Sequence, residues 1–123
     1  MDDIYLKQQA LNDGYTGLRY PFYFDNQFSN QMKKSGIGLI GGKPHSKTYF
    51  CNEGAGLVRY VSDRFGLRNE DENWEKDIDT IFIGDSAVHG ACVHNHQVIS
   101  SYYTEITGKT SLNLGTAAIL FSN

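Results

Sequence analysis

One segment constrains the fold of this chain more than any other: an apolar run that stops abruptly at three small residues. The run Ile81-Phe82-Ile83 has strand composition and is followed by Gly84-Asp85-Ser86. Glycine permits a tight turn, and open α/β sheets bind ligands at the carboxyl ends of their strands. The segment therefore predicts a strand at about 80–84 with the Ser86 hydroxyl at that edge. From the tripeptide alone, the simpler interpretation, that Asp85 or Ser86 caps a following helix, is better supported.

A second strand follows at the distance expected for a strand–helix–strand unit. After a loop over 87–95, the apolar spacing predicts a helix over about 97–107 that ends at Gly108. The side chains expected to face inward are Val98, Tyr102, Tyr103 and Ile106. Residues 111–115 then predict a strand parallel to the first, because strands joined through a helix run in the same direction.

The N-terminal part is predicted to be irregular with short β segments. A short helix is predicted over residues 1–13, extended segments and turns over 14–42, and a strand over 57–61. Residues 70–79 carry six acidic side chains and read as a solvated linker closed by Trp74.

Composition excludes several classes of protein. The net charge of −3 argues against a nucleic-acid-binding protein. No apolar run is long enough to span a bilayer, and the N-terminus lacks a secretory signal, so a cytoplasmic location is the default expectation. Two cysteines do not form a disulfide framework; Cys92 is expected to pack as a small apolar residue, with a bridge to Cys51 as the less favoured alternative.

No metal or cofactor is predicted. His94 and His96 alternate along the chain, which would place two imidazoles on one side of a strand, but no ligand set with recognised metal spacing accompanies them. A solvent-exposed loop is the preferred interpretation. The glycine-rich stretch 36–42 lacks the Lys-Ser/Thr ending of a phosphate loop, which disfavours a nucleotide-binding protein.

The segment 81–93 resembles the first block of the GDSL, or SGNH, hydrolase family. Residues 112–115 resemble the start of that family's second block. The upstream segments 41–43, 47–53 and 60–69 are similar to a bacterial subgroup that carries an N-terminal extension. The resemblance covers roughly residues 38–115 and divides the chain into an extension, 1–76, and the start of a hydrolase domain, 77–123.

The resemblance implies a flavodoxin-like three-layer α/β/α sandwich with a parallel sheet, and a serine esterase acting on a small-molecule or glycan ester. Ser86 would be the nucleophile, and its backbone N–H would be an oxyanion donor. Asp85 would support the turn. Ala118 stands about where the family has a glycine that supplies a second oxyanion N–H.

The departures from the family pattern lead to a further expectation. The family's asparagine block and its Asp-x-x-His block do not occur in these 123 residues. His89, three residues after Ser86, belongs to the turn in the subgroup and is not assigned as the base. The sequence therefore predicts the front end of a longer hydrolase, with a fold that is marginally stable or dependent on a partner, and inactive alone. The alternative is a catalytically dead ligand-binding or interaction module of the same fold.

Overall fold

The described part of the chain combines helices with two small β-sheets in an α/β arrangement. A computed structural model describes residues 3–17, 42–52 and 56–116. The helices are α1 (Asp3–Asn12), α2 (Ser86–His89) and α3 (Ile99–Thr107), with 3₁₀ helices at Asp71–Glu75 and Asn95–Gln97. The strands are β1 (Thr16–Gly17), β2 (Lys47–Asn52), β3 (Leu57–Val61), β4 (Thr80–Gly84) and β5 (Ser111–Gly115). None of the helices within these three ranges is long and apolar enough to cross a membrane.

The first sheet has the order β1-β2-β3, with β1 parallel and β3 antiparallel to β2. Its pairing is irregular between Phe50 and Asn52. Val58 is fully buried and Tyr60 nearly so, and these two side chains form the core face of β3. The prediction of a strand over 57–61 is confirmed.

The second sheet consists of β4 and β5, which pair in parallel in the register Ile81↔Leu112 and Ile83↔Leu114. Helix α3 joins them, packing through Tyr103 on Phe82 with ring centroids 5.6 Å apart. Gly108 ends α3 in the left-handed conformation, as its position predicts. The strand–helix–strand unit and its parallel pairing are confirmed, whereas the predicted 87–95 loop contains helix α2.

The inward face predicted for α3 is partly wrong. Val98 is buried, but Tyr102 and Ile106 are 58% and 67% exposed. The helix packs on β5 through polar side chains instead: the hydroxyls of Thr104 and Ser111 form a hydrogen bond of 3.0 Å. Apolar spacing therefore identified the helix but not the face that the sheet covers.

Two further expectations also need correction. Residues 70–79 are not merely a solvated linker, because a 3₁₀ helix forms there and the Trp74 indole donates to Asp63 Oδ2 at 2.8 Å. Cys92 does not pack as a free apolar residue: it forms a disulfide with Cys51 across Cα atoms 5.1 Å apart. Both cysteines have positive φ, and packing of β2 beside the loop after α2 brings them within bonding range.

Candidate functional site

Ser86 is the first residue of α2, directly beyond the carboxyl end of β4. Asp85 precedes it as the N-cap, and its Oδ1 accepts a hydrogen bond from the Ala87 amide at 3.0 Å. The carboxylate thus satisfies an amide of the first helical turn, as N-cap residues do. The Ser86 side chain is half-buried, and no hydrogen bond to its hydroxyl occurs within the described part of the chain.

Close packing between α2 and the ends of both strands fixes this turn. A Cβ on Gly84 would lie 3.1 Å from Val88 Cβ and closer still to one of the Val88 methyl groups. A Cβ on Gly115 would lie 2.7 Å from the Val88 carbonyl carbon and would overlap the His89 amide. Position 115 therefore requires glycine for the helix backbone to approach the sheet, and Gly84 leaves room for the Val88 side chain.

The His89 side chain is buried in the core. Its ring contacts Phe50 and Tyr60 edge-to-face at centroid distances of 5.8 and 5.6 Å. Burial, together with the nearby Arg68 charge, lowers the pKa of His89 to about 4, although a contact with the Gly115 backbone acts in the opposite direction. Its Nε2 is buried without a hydrogen-bond partner among the described residues. His89 is therefore a neutral core residue rather than a base for Ser86.

The remaining histidines lie elsewhere. The rings of His94 and His96 stack in parallel with centroids 6.2 Å apart, and the His94 side chain and Gln97 form a reciprocal capping box. His45 lies in the extension, where its amide donates to the Asp63 carbonyl at 3.1 Å. Within residues 3–17, 42–52 and 56–116, no group of three potential ligands could hold a metal ion. Ala118 lies outside the described residues.

The sequence reasoning missed a buried polar network that supports the turn. Asp63 is fully buried, and its carboxylate accepts from two backbone amides and from the side chains of Asn69 and Trp74. Asn69 in turn accepts from the Asn113 amide at 2.7 Å and donates to the Asn113 carbonyl at 2.9 Å, as a neighbouring strand would. Asn113 lies between two leucines in a predicted strand, and that polar interruption was the available signal.

A cleft of about 410 Å³ lies between strand β3 and helix α3. Its wall includes Arg59, Tyr60, Asn73, Asn95, Ser101 and Thr104. Ser86 does not line it.

No protein-family model, curated protein or solved structure matches the chain. Its function is therefore inferred from the motif residues and from the geometry around Ser86.

Proposed function

We propose that this chain carries the nucleophile of an SGNH/GDSL-type serine ester hydrolase with a flavodoxin-like three-layer domain. In this proposal Ser86 Oγ attacks an ester carbonyl on an acylated sugar or lipid. The alcohol leaves and an acyl-enzyme forms, which water then hydrolyses. The backbone N–H of Ser86 would stabilise the oxyanion, a contribution of about 3 kcal/mol for a pre-aimed donor.

One observation carries the proposal: the Ser86 hydroxyl lies at the carboxyl end of a parallel strand, in a turn that two glycines and an N-cap aspartate keep tight. Ligands of open α/β sheets bind at that edge. The hydroxyl makes no hydrogen bond within the described residues, so it is not committed to a structural role there. A serine that merely capped α2 would instead direct its oxygen to a backbone amide, a task that Asp85 performs.

The described residues place no general base beside Ser86, which suggests a direct test. A fluorophosphonate probe should label the full chain slowly at Ser86, and added imidazole should accelerate labelling by acting as an external base. Ser86→Ala should abolish the labelling, whereas Ser101→Ala, at an exposed serine, should leave it unchanged. Labelling that persists in Ser86→Ala would exclude Ser86 as the nucleophile.

The alternative function, a ligand-binding module without catalysis, has an observation of its own. The histidine nearest in sequence to Ser86 is buried and neutral, and the 410 Å³ cleft is separate from the serine. Absence of labelling in folded protein, with or without imidazole, would favour this alternative. Chemical-shift changes confined to cleft residues on titration with a soluble oligosaccharide would support it.

A further inference from the structure

Arg68 is a nearly buried cation whose hydrogen-bond partners are all neutral. The side chain is 6% exposed, and its guanidinium lies over the Tyr60 ring at 5.1 Å. Among the described residues it forms no salt bridge with a carboxylate. Burial lowers the pKa of Arg68, which reflects the cost of removing this charge from water.

The hydrogen-bond partners of this guanidinium lie at the end of α2, in the loop that follows it, and at the start of the 3₁₀ helix Asn95–Gln97. Nη1 donates to the Gly90 carbonyl at 2.7 Å and more weakly to the His89 carbonyl at 3.5 Å. Nη2 donates to the Val93 carbonyl at 2.9 Å, and both Nη2 and Nε donate to Asn95 Oδ1. A cation is favourable at a helix C-terminus, where the last carbonyls lack intrahelical partners.

A single peptide group, the one between Gly90 and Ala91, links these contacts to Ser86. The amides of Gly90 and Ala91 both donate to the Ser86 carbonyl, at 3.1 and 2.9 Å. On the opposite side, Asn113 Nδ2 donates to the His89 carbonyl at 3.3 Å. The peptide that Arg68 holds is therefore the peptide that closes the turn on Ser86.

We propose that Arg68, together with Asn95, is a positioning residue that sets the orientation of the Ser86 turn from the N-terminal extension. The proposal rests on the function proposed above, and it assigns the extension a role in the serine site. The planar guanidinium of arginine is required because it donates to four acceptors at the same time, namely three backbone carbonyls and the side-chain oxygen of Asn95. The ammonium group of lysine has three donors and lacks this fixed geometry.

The test compares Arg68→Lys with Arg64→Lys in the full chain. Arg64 lies in the same segment but pairs with Asp71 and Glu75 at the surface, so its substitution is a matched control. The primary measurement is the imidazole-assisted labelling rate at Ser86 at saturating probe, below each variant's melting temperature. The second is amide hydrogen exchange across residues 87–91, compared with α3.

We expect Arg68→Lys to lower the saturating labelling rate about tenfold or more, with little change in half-saturating probe concentration, and Arg64→Lys to leave both unchanged. A lower melting temperature with an unchanged labelling rate would mean that Arg68 is only structural, and would overturn the proposal. If Arg68→Lys does not fold, Asn95→Ala decides the matter in the same way, because it removes one acceptor and leaves the arginine in place.

Failure of the hydrolase proposal gives a different result. If the unsubstituted chain is never labelled, the assignment of Ser86 as a nucleophile is wrong. The positioning role of Arg68 is then tested by amide hydrogen exchange alone. Selective acceleration of exchange at 87–91 in Arg68→Lys then supports it. Exchange equal to that of the unsubstituted chain contradicts it.

Discussion

The imidazole of His89 lies between two aromatic rings and beside the Arg68 guanidinium, and this environment favours the uncharged ring. Its pKa of about 4 in the folded chain compares with about 6.5 in an unfolded chain. Above pH 6.5 both states hold neutral His89, so the residue has no effect on the pH dependence of stability. As the pH falls from 6.5 toward 4, only the unfolded state gains the proton, and stability is lost.

His89→Gln should therefore remove part of the acid sensitivity of the fold. The loss attributable to His89 is about 3 kcal/mol between pH 6.5 and 4, from the difference between the two pKa values. Urea unfolding at several pH values would measure it as a steeper pH dependence in the unsubstituted chain than in the variant. His96→Gln, at an exposed ring, should keep the steep dependence; equal slopes in all three proteins would contradict the burial argument.

Gly115 provides a second prediction for a single residue. Its substitution by alanine places a methyl group against the Val88 and His89 backbone, where no side chain can rotate away. We expect Gly115→Ala to destabilise the fold by about 3 kcal/mol. Gly108→Ala is the control: it has open space but a φ of 70°, so its cost should be near ~1 kcal/mol. Equal costs in denaturant unfolding would show that α2 does not press on β5.

Among the elements, helix α3 shows that apolar spacing can identify a helix without identifying its buried face. The existence of the helix, its glycine end and the two parallel strands follow from local composition and period. The buried face does not, because a helix can pack through hydroxyl contacts such as that of Thr104 with Ser111. The exposed apolar stripe of α3 consists of Ile99, Tyr102 and Ile106. Helix α1 repeats the pattern: Ala10 is fully buried while Ile4 is 74% exposed.

Substitutions on the two sides of α3 should therefore have unequal effects. Ile106→Gln should change the unfolding free energy by no more than about 0.5 kcal/mol, because the side chain is 67% exposed. Val98→Ala, at 2% exposure, should cost about 2 kcal/mol, since two buried carbons are lost and a cavity remains. Thermal unfolding of both variants would check this; a large loss in Ile106→Gln would mean that this face is covered in solution.

At the scale of the whole molecule, the sequence predicts local elements better than the contacts between distant segments. Ser86 and Asp85 could be located by motif because a strand, a glycine and a small polar pair are contiguous. Arg68 could not, because its hydrogen-bond partners lie 21 to 27 positions away. Nor could the contact of Asn69 with the Asn113 backbone, 44 positions away, since a side chain bonded to backbone groups leaves no pattern in the partner's sequence. The pairing of Cys51 with Cys92 was only the less favoured alternative, because two cysteines 41 positions apart carry no sequence signal that they meet.

The disulfide is a covalent tie between strand β2 and the loop that follows α2. Disulfides persist mainly in oxidising compartments, so this bridge favours such a compartment over the cytoplasmic expectation. Its cysteines are 41 positions apart, and closing a loop of that size lowers the entropy of the unfolded chain enough to stabilise the fold by about 4 kcal/mol. A stabilising contribution of this size counts against the expectation that the chain is only marginally stable.

Reduction of the disulfide should show how much the stability of the chain depends on it. We expect dithiothreitol to shift the urea midpoint of the chain to markedly lower concentration, because the reduced chain regains the lost unfolded-state entropy. The double variant Cys51→Ser/Cys92→Ser should unfold at the midpoint of the reduced chain and be insensitive to dithiothreitol, which separates loss of the bridge from other effects of the reagent. The expectation is contradicted if the urea midpoint is the same with and without reductant. In that case either the bridge does not form, or β2 and the loop after α2 stay together without it.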